Sequence, residues 1–192
     1  MARRKKPSRI PGLQVWLMAA ALVLAGFIFG RDDPQMRDTF FDMAGRLLKD
    51  EPATPCETVA GGARIIDGDT LDLDGKRIRL YGIDAPERAQ TCTRGGRNWN
   101  CGTEATAALV QAIGDQRLTC EKRDIDRYDR IVAVCHAGQV NLNTWMVRNG
   151  WALAYRQYGG EIYGANEAAA KRDRAGVWSG QFENPWDWRR SH

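Results

Sequence analysis

The sequence predicts a mixed α+β chain, mainly a small Greek-key β barrel, preceded by an N-terminal transmembrane helix. Three observations predict this fold: short β-like runs separated by turns, helical stripes between and after them, and one long apolar run near the N-terminus. With 192 residues, 43% of them hydrophobic and 27% charged, the chain is neither a disordered tail nor a fibrous repeat. It is long enough to bury a core without a metal or disulfides.

Charge is distributed unevenly along the chain, although the formal net charge is only +4. Residues 1–30 carry five basic and no acidic side chains, residues 31–57 carry four and seven, and residues 58–192 carry nineteen and seventeen. A net charge of +4 is too small to require a nucleic-acid partner. We interpret the three stretches as a membrane segment, a spacer and a globular part, which comprises a domain at 58–179 and an aromatic tail at 180–192.

Residues 1–30 are predicted to insert into the membrane. A basic flank precedes the apolar run of residues 10–30, whose roughly 21 residues would span about 30 Å as a helix, one hydrocarbon core. Such a flank holds the N-terminus in the cytoplasm, so the domain would lie outside it, in the periplasm or the extracellular space. The run is either an uncleaved signal anchor or a cleaved signal peptide that leaves the domain secreted. Because Phe27 directly follows Ala25 and Gly26, no clean cleavage site ends the run, which favours the anchor.

Residues 31–57 are predicted to form an acidic spacer. Apolar side chains recur in it at helical spacing, which predicts a short amphipathic helix over about 34–49. This helix would lie on the membrane, pair with a partner or pack on the domain, and packing on the domain is the simplest of the three. The run from Glu51 to Pro55 is typical of an extended linker.

All five cysteines follow the apolar run, where an oxidising compartment would let them pair. Cys92 and Cys101 bracket a glycine-rich basic loop, which favours a disulfide that closes the loop. Cys120 and Cys135 lie in two β-like runs and are either bridged or two buried thiols. Because the number of cysteines is odd, one of them has no partner for a disulfide, and Cys56 is the simplest choice. Without a CxxC pair and with only two histidines, the chain does not fit a zinc finger.

The globular part alternates β-like and helical runs. Asp74-Gly75 is typical of a two-residue hairpin turn, Thr103 and Asn141 are predicted N-caps, and Gly150 is a predicted helix stop. The predicted strands are 63–67, 70–73, 77–83, 117–121 and 130–135, and the predicted helices are 103–113, 142–149 and 161–175. A meander of strands with helices between and after them fits a small barrel better than a parallel sheet.

Carboxylates and arginines gather at the ends of strands that can be neighbours. Asp69 and Asp84 offer hard oxygen ligands to one divalent cation, Ca²⁺ or Mg²⁺, in an open site. Arg79 and Arg130 can each bind phosphate oxygens through two parallel hydrogen bonds, and Glu87 is a spare carboxylate. Taken singly, each group is more typical of a turn or a solvated surface. Together they are the parts that a phosphodiester-cleaving site requires.

Four motifs occur in a characteristic order along the chain. They are Ile-Asp-Gly-Asp-Thr at 66–70, Arg-Ile-Arg-Leu-Tyr-Gly-Ile-Asp-Ala-Pro-Glu at 77–87, Asp-Arg-Tyr-Asp-Arg at 126–130 and Ala-Gly-Val-Trp at 175–178. In this order they resemble the staphylococcal nuclease (thermonuclease-like) family over about Val59 to Ser179. The resemblance implies a five-stranded OB-type barrel with about three helices. It also implies Ca²⁺-dependent cleavage of DNA and RNA that breaks the 5′ P–O bond and leaves a 3′-phosphate.

By the same resemblance, Arg79 and Arg130 would clamp the scissile phosphate. Glu87 would orient or deprotonate the attacking water. Tyr128 and Tyr155 fall near positions where the family contacts nucleotide, Tyr155 after a shift of one residue.

The resemblance further implies one Ca²⁺ ion, held by Asp69, Asp84 and the backbone carbonyl of Ala85. Two positions depart from the family pattern. Ala85 stands where threonine is frequent, which is harmless if only the carbonyl is used. Asp129 replaces a glycine beside Arg130 and adds negative charge where phosphate would approach, so substrate affinity is expected to fall.

A basic loop is the feature from which a substrate preference is predicted. Arg88, Arg94 and Arg97 mark a loop that reaches Cys101 without an acidic side chain, and Trp99 lies within it. The loop either holds single-stranded nucleic acid by backbone attraction and base stacking or is a solvated insertion. No base-reading motif is present, so little sequence specificity is expected.

A binding module is the alternative hypothesis from a different functional class. The same barrel scaffold hosts domains that bind nucleic acid or protein without cutting, because fold does not fix function. Such modules usually lack some site residues, whereas every site position is filled here, which favours an active nuclease. No obligate protein partner is predicted, and the aromatic tail is expected to pack on the barrel.

Overall fold

Strands supply the framework of the computed structural model, which describes residues 12–29, 34–49 and 57–192. The chain divides into two units, Met1–Pro55 and Cys56–His192. The predicted linker and the predicted odd cysteine, Cys56, lie outside the described residues.

Two helices are described in the N-terminal unit, α1 (Gly12–Phe29) and α2 (Pro34–Lys49). The rings of Phe27 and Phe41 meet edge to face with centroids 5.6 Å apart. Helix α2 covers the residues predicted to form a short amphipathic helix. Within the described parts of the chain, no helix is both long and apolar enough to cross a membrane, so the transmembrane helix predicted for residues 10–30 is not found there.

The second unit is described from residue 57 onward. Its strands are β1 (Thr58–Gly61), β2 (Ala63–Ile65), β3 (Thr70–Leu73), β4 (Lys76–Leu80), β5 (Ile83–Asp84), β6 (Cys92–Arg94), β7 (Arg97–Trp99), β8 (Leu118–Ile125), β9 (Ile131–Ala137), β10 (Val140–Asn141) and β11 (Leu153–Ala154). Its α-helices are α3 (Cys101–Ile113), α4 (Leu142–Arg148), α5 (Gly164–Arg172) and α6 (Pro185–Ser191). Short 3₁₀ helices lie at Arg156–Tyr158, Gly160–Tyr163 and Gly176–Ser179.

The larger sheet pairs its strands in a ring. β2 pairs with β3, β3 with β4, β4 with β9, β9 with β8, and β8 with β1, and only the β4–β9 pairing is parallel. β1 and β2 lie at the two ends of this strand order and are separated in sequence by Gly62 alone. The continuous segment that they form therefore closes the ring. The predicted mixed α+β character, with a mostly β framework and several helices, is confirmed.

The core lies within this ring of strands. Leu71 of β3 and Ile78 and Leu80 of β4 are buried to within 1% of their surface, and Leu109 of α3 and Met146 of α4 are buried with them. Burying one such side chain contributes about 1.5–3 kcal/mol. Helices α3 and α4 are therefore held to the barrel by their apolar faces.

Local sequence signals predict several details correctly. Asp74 and Gly75 have φ angles of 49° and 86°, as a tight hairpin turn with two left-handed residues requires. Asn141 caps α4, because its side chain accepts the N–H of Thr144 at 2.9 Å. Gly150, just beyond α4, has a φ of 71° and lets the chain leave the helix.

The predicted start of α3 is wrong by two residues. Thr103 does not cap the helix, since its hydroxyl donates to the Arg88 carbonyl at 3.3 Å. The helix begins at Cys101, and the N–H of Gly102 donates to the Gln90 carbonyl at 3.2 Å, which replaces a side-chain cap. A contact distant in sequence thus decides this boundary.

The helix predicted over 161–175 is shorter than expected. A 3₁₀ turn occupies its first residues, and α5 begins only at Gly164. Gly160 lies so close to other backbone that a Cβ there would come within 2.4 Å of the Tyr155 nitrogen. This close packing explains why the chain does not enter α5 directly.

Both candidate disulfides are present, which resolves the alternative that the sequence left open for Cys120 and Cys135. Cys92–Cys101 closes the basic loop, which forms the β6–β7 hairpin. Cys120 and Cys135 are register partners on β8 and β9 and are bridged. The tail is also more regular than expected, because it carries α6.

Candidate active site

Asp69 is fixed by the turn that precedes β3. Asp67 Oδ1 accepts the backbone N–H groups of Asp69 at 3.0 Å and of Thr70 at 2.7 Å. Glycine is required at position 68, because a Cβ on Gly68 would lie 2.6 Å from the Cβ of Ala85. Asp69 is 2% exposed, and its Oδ2 accepts the N–H of Ala85 at 2.7 Å. The turn therefore joins Asp69 directly to the segment after β5.

Arg79 connects the two aspartates that the sequence singles out. Thr70 and Arg79 are register partners on β3 and β4, which brings the guanidinium beside Asp69. Its Nη1 donates to Asp69 Oδ1, and its Nη2 donates to Asp84 Oδ1 at 2.6 Å. Asp69 and Asp84 therefore point toward one group, and the Arg79 side chain keeps 15% exposure.

Asp84 is completely buried at the end of β5, which pairs with β11. A second guanidinium reaches it from α6. Arg189 Nη1 donates to Asp84 Oδ1 at 3.0 Å, and Arg189 Nη2 donates to Asp84 Oδ2 at 2.7 Å. Two charged hydrogen-bond donors thus compensate the cost of burying this carboxylate.

Burial raises the pKa of both aspartates, because solvent no longer stabilises their ionised forms. Desolvation raises the pKa of Asp69 to about 6, although Arg79 acts in the opposite direction. The pKa of Asp84 is also raised by desolvation, against the hydrogen bond from Arg189 and the charge of Arg79. Burial alone would lower the pKa of Arg79, but the two aspartates raise it above its ordinary value, so the guanidinium stays charged.

Glu87 is positioned by its backbone. The N–H of Gln90 donates to the Glu87 carbonyl at 2.7 Å, and the Glu87 N–H donates to Gln90 Oε1 at 3.2 Å. Gly102 of α3 packs against the same carbonyl, where a Cβ would lie at 1.7 Å. The carboxylate of Glu87 accepts Arg189 Nη1 at 2.6 Å. Arg189 therefore bridges Glu87 and Asp84.

Arg130 follows the turn between β8 and β9. Asp126 Oδ2 accepts Arg130 Nε at 2.7 Å, while Asp126 Oδ1 accepts the backbone N–H groups of Arg130 at 3.0 Å and of Tyr128 at 2.9 Å. The Arg130 guanidinium lies 5.4 Å from the centroid of the Tyr128 ring, and Tyr128 is 65% exposed. Asp129, which replaces a glycine of the family pattern, has a φ of 62°, in the left-handed region that favours glycine. Its effect on substrate affinity stays a prediction.

One cavity of about 820 Å³ collects most of the predicted side chains. The predicted site residues in its wall are Arg79, Glu87, Tyr128, Arg130 and Tyr155. Asp69, Asp84 and Ala85 are buried, and both aspartates are bonded to Arg79 in that wall. Arg88 is exposed and lies outside the residues that form the wall.

Trp99 of the basic loop is already in contact with other side chains. The Arg94 guanidinium lies 4.0 Å from its ring centroid, and the Trp151 ring meets it edge-on at 6.4 Å. The β6–β7 hairpin thus buries much of the aromatic surface that the sequence offers for base stacking.

The cavity wall also contains Arg189, which was not predicted as a site residue from the sequence. It belongs to α6 and contacts Asp84, which precedes it by 105 residues. On the same helix, Trp186 stacks on Tyr155 with ring centroids 5.2 Å apart and 7° between the planes. The only sequence feature that marks Arg189 is its place beside Arg190 in the aromatic tail. The spacing of these two residues gives no indication of a contact with Asp84.

Comparison with known proteins identifies the family. A family model described as "Staphylococcal nuclease homologue" matches residues 77–180, more than half of the chain. The chain belongs to the staphylococcal nuclease family. The matched stretch includes Arg79, Asp84, Glu87 and Arg130, whereas Asp69 precedes it.

Curated relatives match this staphylococcal nuclease family member over about two thirds of its length or more. The succinoglycan biosynthesis protein ExoI of Rhizobium meliloti (strain 1021) is 35% identical over 141 residues, 72% of this chain and 74% of that protein. The micrococcal nuclease of Shigella flexneri is 36% identical over 146 residues, 67% of this chain and 78% of that protein. An uncharacterized endonuclease of Escherichia coli is 32% identical over 133 residues, 66% of this chain and 81% of that protein.

Calcium is the metal that the staphylococcal nuclease family implies. Within residues 12–29, 34–49 and 57–192, no three or more His, Cys, Asp or Glu side chains are grouped so as to hold a metal ion. The donor chemistry of Asp69 and Asp84 nevertheless suits a hard divalent cation, because both supply carboxylate oxygens. In this structure the two carboxylates are paired with the guanidinium groups of Arg79 and Arg189.

Proposed function

We propose that this chain is a nuclease of the staphylococcal type, which hydrolyses phosphodiester bonds of DNA, and also of RNA, with little sequence preference. One observation carries the proposal: Arg79, Glu87 and Arg130 share the wall of a single cavity, and Arg79 is bonded to two buried aspartates. Relatives named as a micrococcal nuclease and as an endonuclease support the same activity.

The arrangement suits attack of a water molecule on phosphorus. As the water oxygen bonds to phosphorus, negative charge builds on the phosphate oxygens, and Arg79 and Arg130 would neutralise it from fixed positions. Glu87 would accept or direct the proton that the water loses. The 5′ P–O bond breaks, the leaving 5′ oxygen takes up a proton, and the phosphate stays on the 3′ side.

One Ca²⁺ ion is the proposed cofactor. Asp69, Asp84 and the backbone carbonyl of Ala85 would hold it. When bound, it would supply Lewis-acid stabilisation of the phosphate oxygens. Support comes from the two buried carboxylates, which bind cationic groups at hydrogen-bond distance in this structure.

Single-stranded nucleic acid is the proposed preferred substrate. Tyr128 is largely exposed beside Arg130, and its ring would stack on an unpaired base. Tyr155 lines the same cavity, and its ring would stack on a second base once Trp186 leaves it. The exposed Arg88 would add a contact to the backbone of the strand.

We further propose that the nuclease works outside the cytoplasm. Two disulfides support this location, because such bonds persist in oxidising compartments. The basic N-terminus and the apolar run of residues 10–30 would direct export. The run would then stay as a membrane anchor or be removed.

Cleavage of a fluorescent single-stranded oligonucleotide by the purified full chain tests this function. We expect cleavage with Ca²⁺ that stops when the ion is chelated. Glu87→Gln should lower the rate by about 10²–10⁴-fold, because the water loses its proton acceptor, without a change in the unfolding midpoint. Glu161→Gln is the matched control, because Glu161 is exposed and lies outside the cavity wall.

Two outcomes would contradict the proposal. An unaltered rate for a folded Glu87→Gln protein would remove Glu87 from the mechanism. Binding of DNA without cleavage under any divalent ion would favour the alternative, a nucleic-acid binding module. The contacts of Arg189 with two site carboxylates are the observation that keeps this second candidate open.

A further inference from the structure

Helix α6 covers the part of the site where a cation and a base are proposed to bind. Arg189 donates to both carboxylate oxygens of Asp84, at 3.0 and 2.7 Å, and to Glu87 at 2.6 Å. Trp186 stacks on Tyr155 with centroids 5.2 Å apart. One short helix therefore engages a proposed metal ligand, the proposed water-directing carboxylate and a proposed base-stacking ring.

The chain that leads into α6 is anchored by other contacts. Thr93 and Gln181 exchange two backbone hydrogen bonds of 2.8 Å each, as in an antiparallel bridge. The fully buried Gln90 donates from Nε2 to the Glu183 carbonyl at 2.7 Å. These contacts end at Glu183, so α6 can leave the site while the preceding segment stays in place.

Helix α6 is attached through the ion pairs of Arg189 and through Trp186, which also packs against a small buried cluster of the domain. Pro185 is its one buried residue, and the helix has seven residues. A helix of this length has little stability of its own in water. The ion pairs of Arg189 and the stacked ring of Trp186 are therefore prominent among the contacts that keep it docked.

We propose that α6 is an autoinhibitory latch, in which Arg189, beside Arg79, occupies the oxygens of Asp84 until Ca²⁺ or nucleic acid displaces it. The inference rests on the proposed function. Arg189 donates to both oxygens of Asp84. A divalent cation bound to the same carboxylate would lie close to the guanidinium, and the two positive charges would repel each other. A nucleotide base would compete with Trp186 for the same face of Tyr155. The free enzyme is therefore closed, and the binding of either ligand shifts α6 toward the open state.

Calcium titration of the full chain by calorimetry, without nucleic acid, tests the cationic half of the latch. Arg189→Gln should bind Ca²⁺ roughly tenfold more tightly than wild type, because the ion no longer has to displace a guanidinium. Arg190→Gln is the matched control. It removes the same charge from the same helix, but Arg190 is 74% exposed and pairs with Asp187 of α6 itself. Its affinity should stay within about twofold of wild type.

The variant Trp186→Ala distinguishes the effect of helix docking from the effect of the Arg189 charge. This variant keeps every charged group, yet it removes the ring that stacks on Tyr155. It should tighten Ca²⁺ binding by roughly a factor of a few, because a loosened helix competes less well for Asp84. Its unfolding midpoint, measured beside the titration, verifies that the domain is folded.

Hydrogen exchange reports the motion without any activity assay. In wild type, saturating Ca²⁺ should speed exchange at the backbone N–H groups of Trp188 and His192, which donate within the last turns of the chain. The amides of α3 should be unchanged. Arg189→Gln should show the faster exchange before Ca²⁺ is added.

The outcomes separate the latch from the proposed function. If Arg189→Gln binds Ca²⁺ no more tightly than Arg190→Gln, or if Ca²⁺ leaves exchange in α6 unchanged, the latch is wrong even where wild type cleaves DNA. If no variant cleaves DNA but Ca²⁺ frees α6, the proposed function is wrong, and the release of α6 by Ca²⁺ stands without its inhibitory role. A chain that binds no Ca²⁺ at all overturns the latch.

Discussion

At the scale of single residues, a glycine fixes where Glu87 lies. Gly102 stands in the first turn of α3, and a Cβ at this position would come within 1.7 Å of the Glu87 carbonyl oxygen. Its φ is not positive, so the restriction is steric and not conformational. The close approach of backbone to backbone sets the distance between α3 and the segment that carries Glu87.

We predict that Gly102→Ala displaces Glu87. The added methyl group must push the Glu87 backbone away, which should cost about 1–3 kcal/mol of unfolding free energy, as overpacking usually does. It should also lower kcat, because the proposed water-directing carboxylate moves with its backbone. Urea unfolding and oligonucleotide cleavage measure the two effects.

Gly62→Ala is the control for this substitution. The nearest atom to a Cβ on Gly62 is Asp74 Oδ1 at 3.7 Å, an ordinary contact. Alanine there should leave the stability unchanged or raise it by about 0.4–1 kcal/mol, because the unfolded chain loses conformational freedom. Equal behaviour of the two variants would show that the contact between Gly102 and Glu87 has no consequence.

At the scale of elements, α5 holds the strand that pairs with β5. Glu167 of α5 is buried, and its Oε1 accepts the N–H of Ala154 in β11 at 3.0 Å. Its Oε2 accepts Lys171 Nζ at 2.9 Å and Arg156 Nη2 at 3.2 Å. Since β11 pairs with the strand that ends in Asp84, the Glu167 carboxylate helps to hold Asp84 in position without contacting it.

We predict that Glu167→Gln destabilises the protein in a pH-dependent way. Burial alone would raise the pKa of Glu167, but the hydrogen bonds from Lys171, Ala154 and Arg156 outweigh it and lower the pKa below its ordinary value. A lowered pKa in the folded state means that stability is gained above about pH 4.5 and lost as the pH falls through the folded-state pKa. The loss in the variant should be about 1–3 kcal/mol at neutral pH and should shrink in acid.

Urea unfolding at pH 7 and in steps below about pH 4.5 checks this dependence. Glu161→Gln, an exposed change in the neighbouring 3₁₀ turn, should match wild type at every pH. A Glu167→Gln deficit that stays constant down to the acid limit would show that the lost contribution is not ionic.

Elements whose signals are local were predictable from the sequence. The Asp74-Gly75 turn and the Asn141 cap depend on residues within four positions, and both are found. The start of α3 and the break before α5 depend on contacts of Gly102 and Gly160 with distant backbone, and both were predicted wrongly. Local patterns thus predict that an element exists, whereas packing decides where it begins.

At the scale of the whole molecule, the same distinction separates the predicted part of the site from the missed part. Asp69 directly precedes β3, Arg79 lies in β4 and Asp84 ends β5, so the β3–β4 pairing and a short stretch of chain after β4 bring them together. Arg189 reaches Asp84 across 105 residues, through a tail anchored by Gln90 and Thr93. No periodicity in the sequence encodes that path, because it depends on where the finished barrel leaves room for α6.

The two disulfides lie in different parts of the molecule, one in the β6–β7 hairpin and one across β8 and β9. We predict that replacing either pair by alanine costs about 2–4 kcal/mol of unfolding free energy, because each bridge closes a loop that the unfolded chain otherwise explores. Separations of 9 and 15 residues make the two losses similar in size. Cys56→Ala, a change at the cysteine that the sequence leaves over, should cost nothing.

Urea unfolding of the two paired variants and of Cys56→Ala measures these losses, and thiol labelling of the denatured, unreduced wild type should find one free thiol. The bridge between Cys92 and Cys101 also holds the hairpin on which the tail is anchored, since Thr93 lies next to Cys92. Loss of this bridge should therefore speed hydrogen exchange in α6, whereas loss of the bridge between β8 and β9 should not. Equal exchange in the two paired variants would show that the hairpin does not hold the tail.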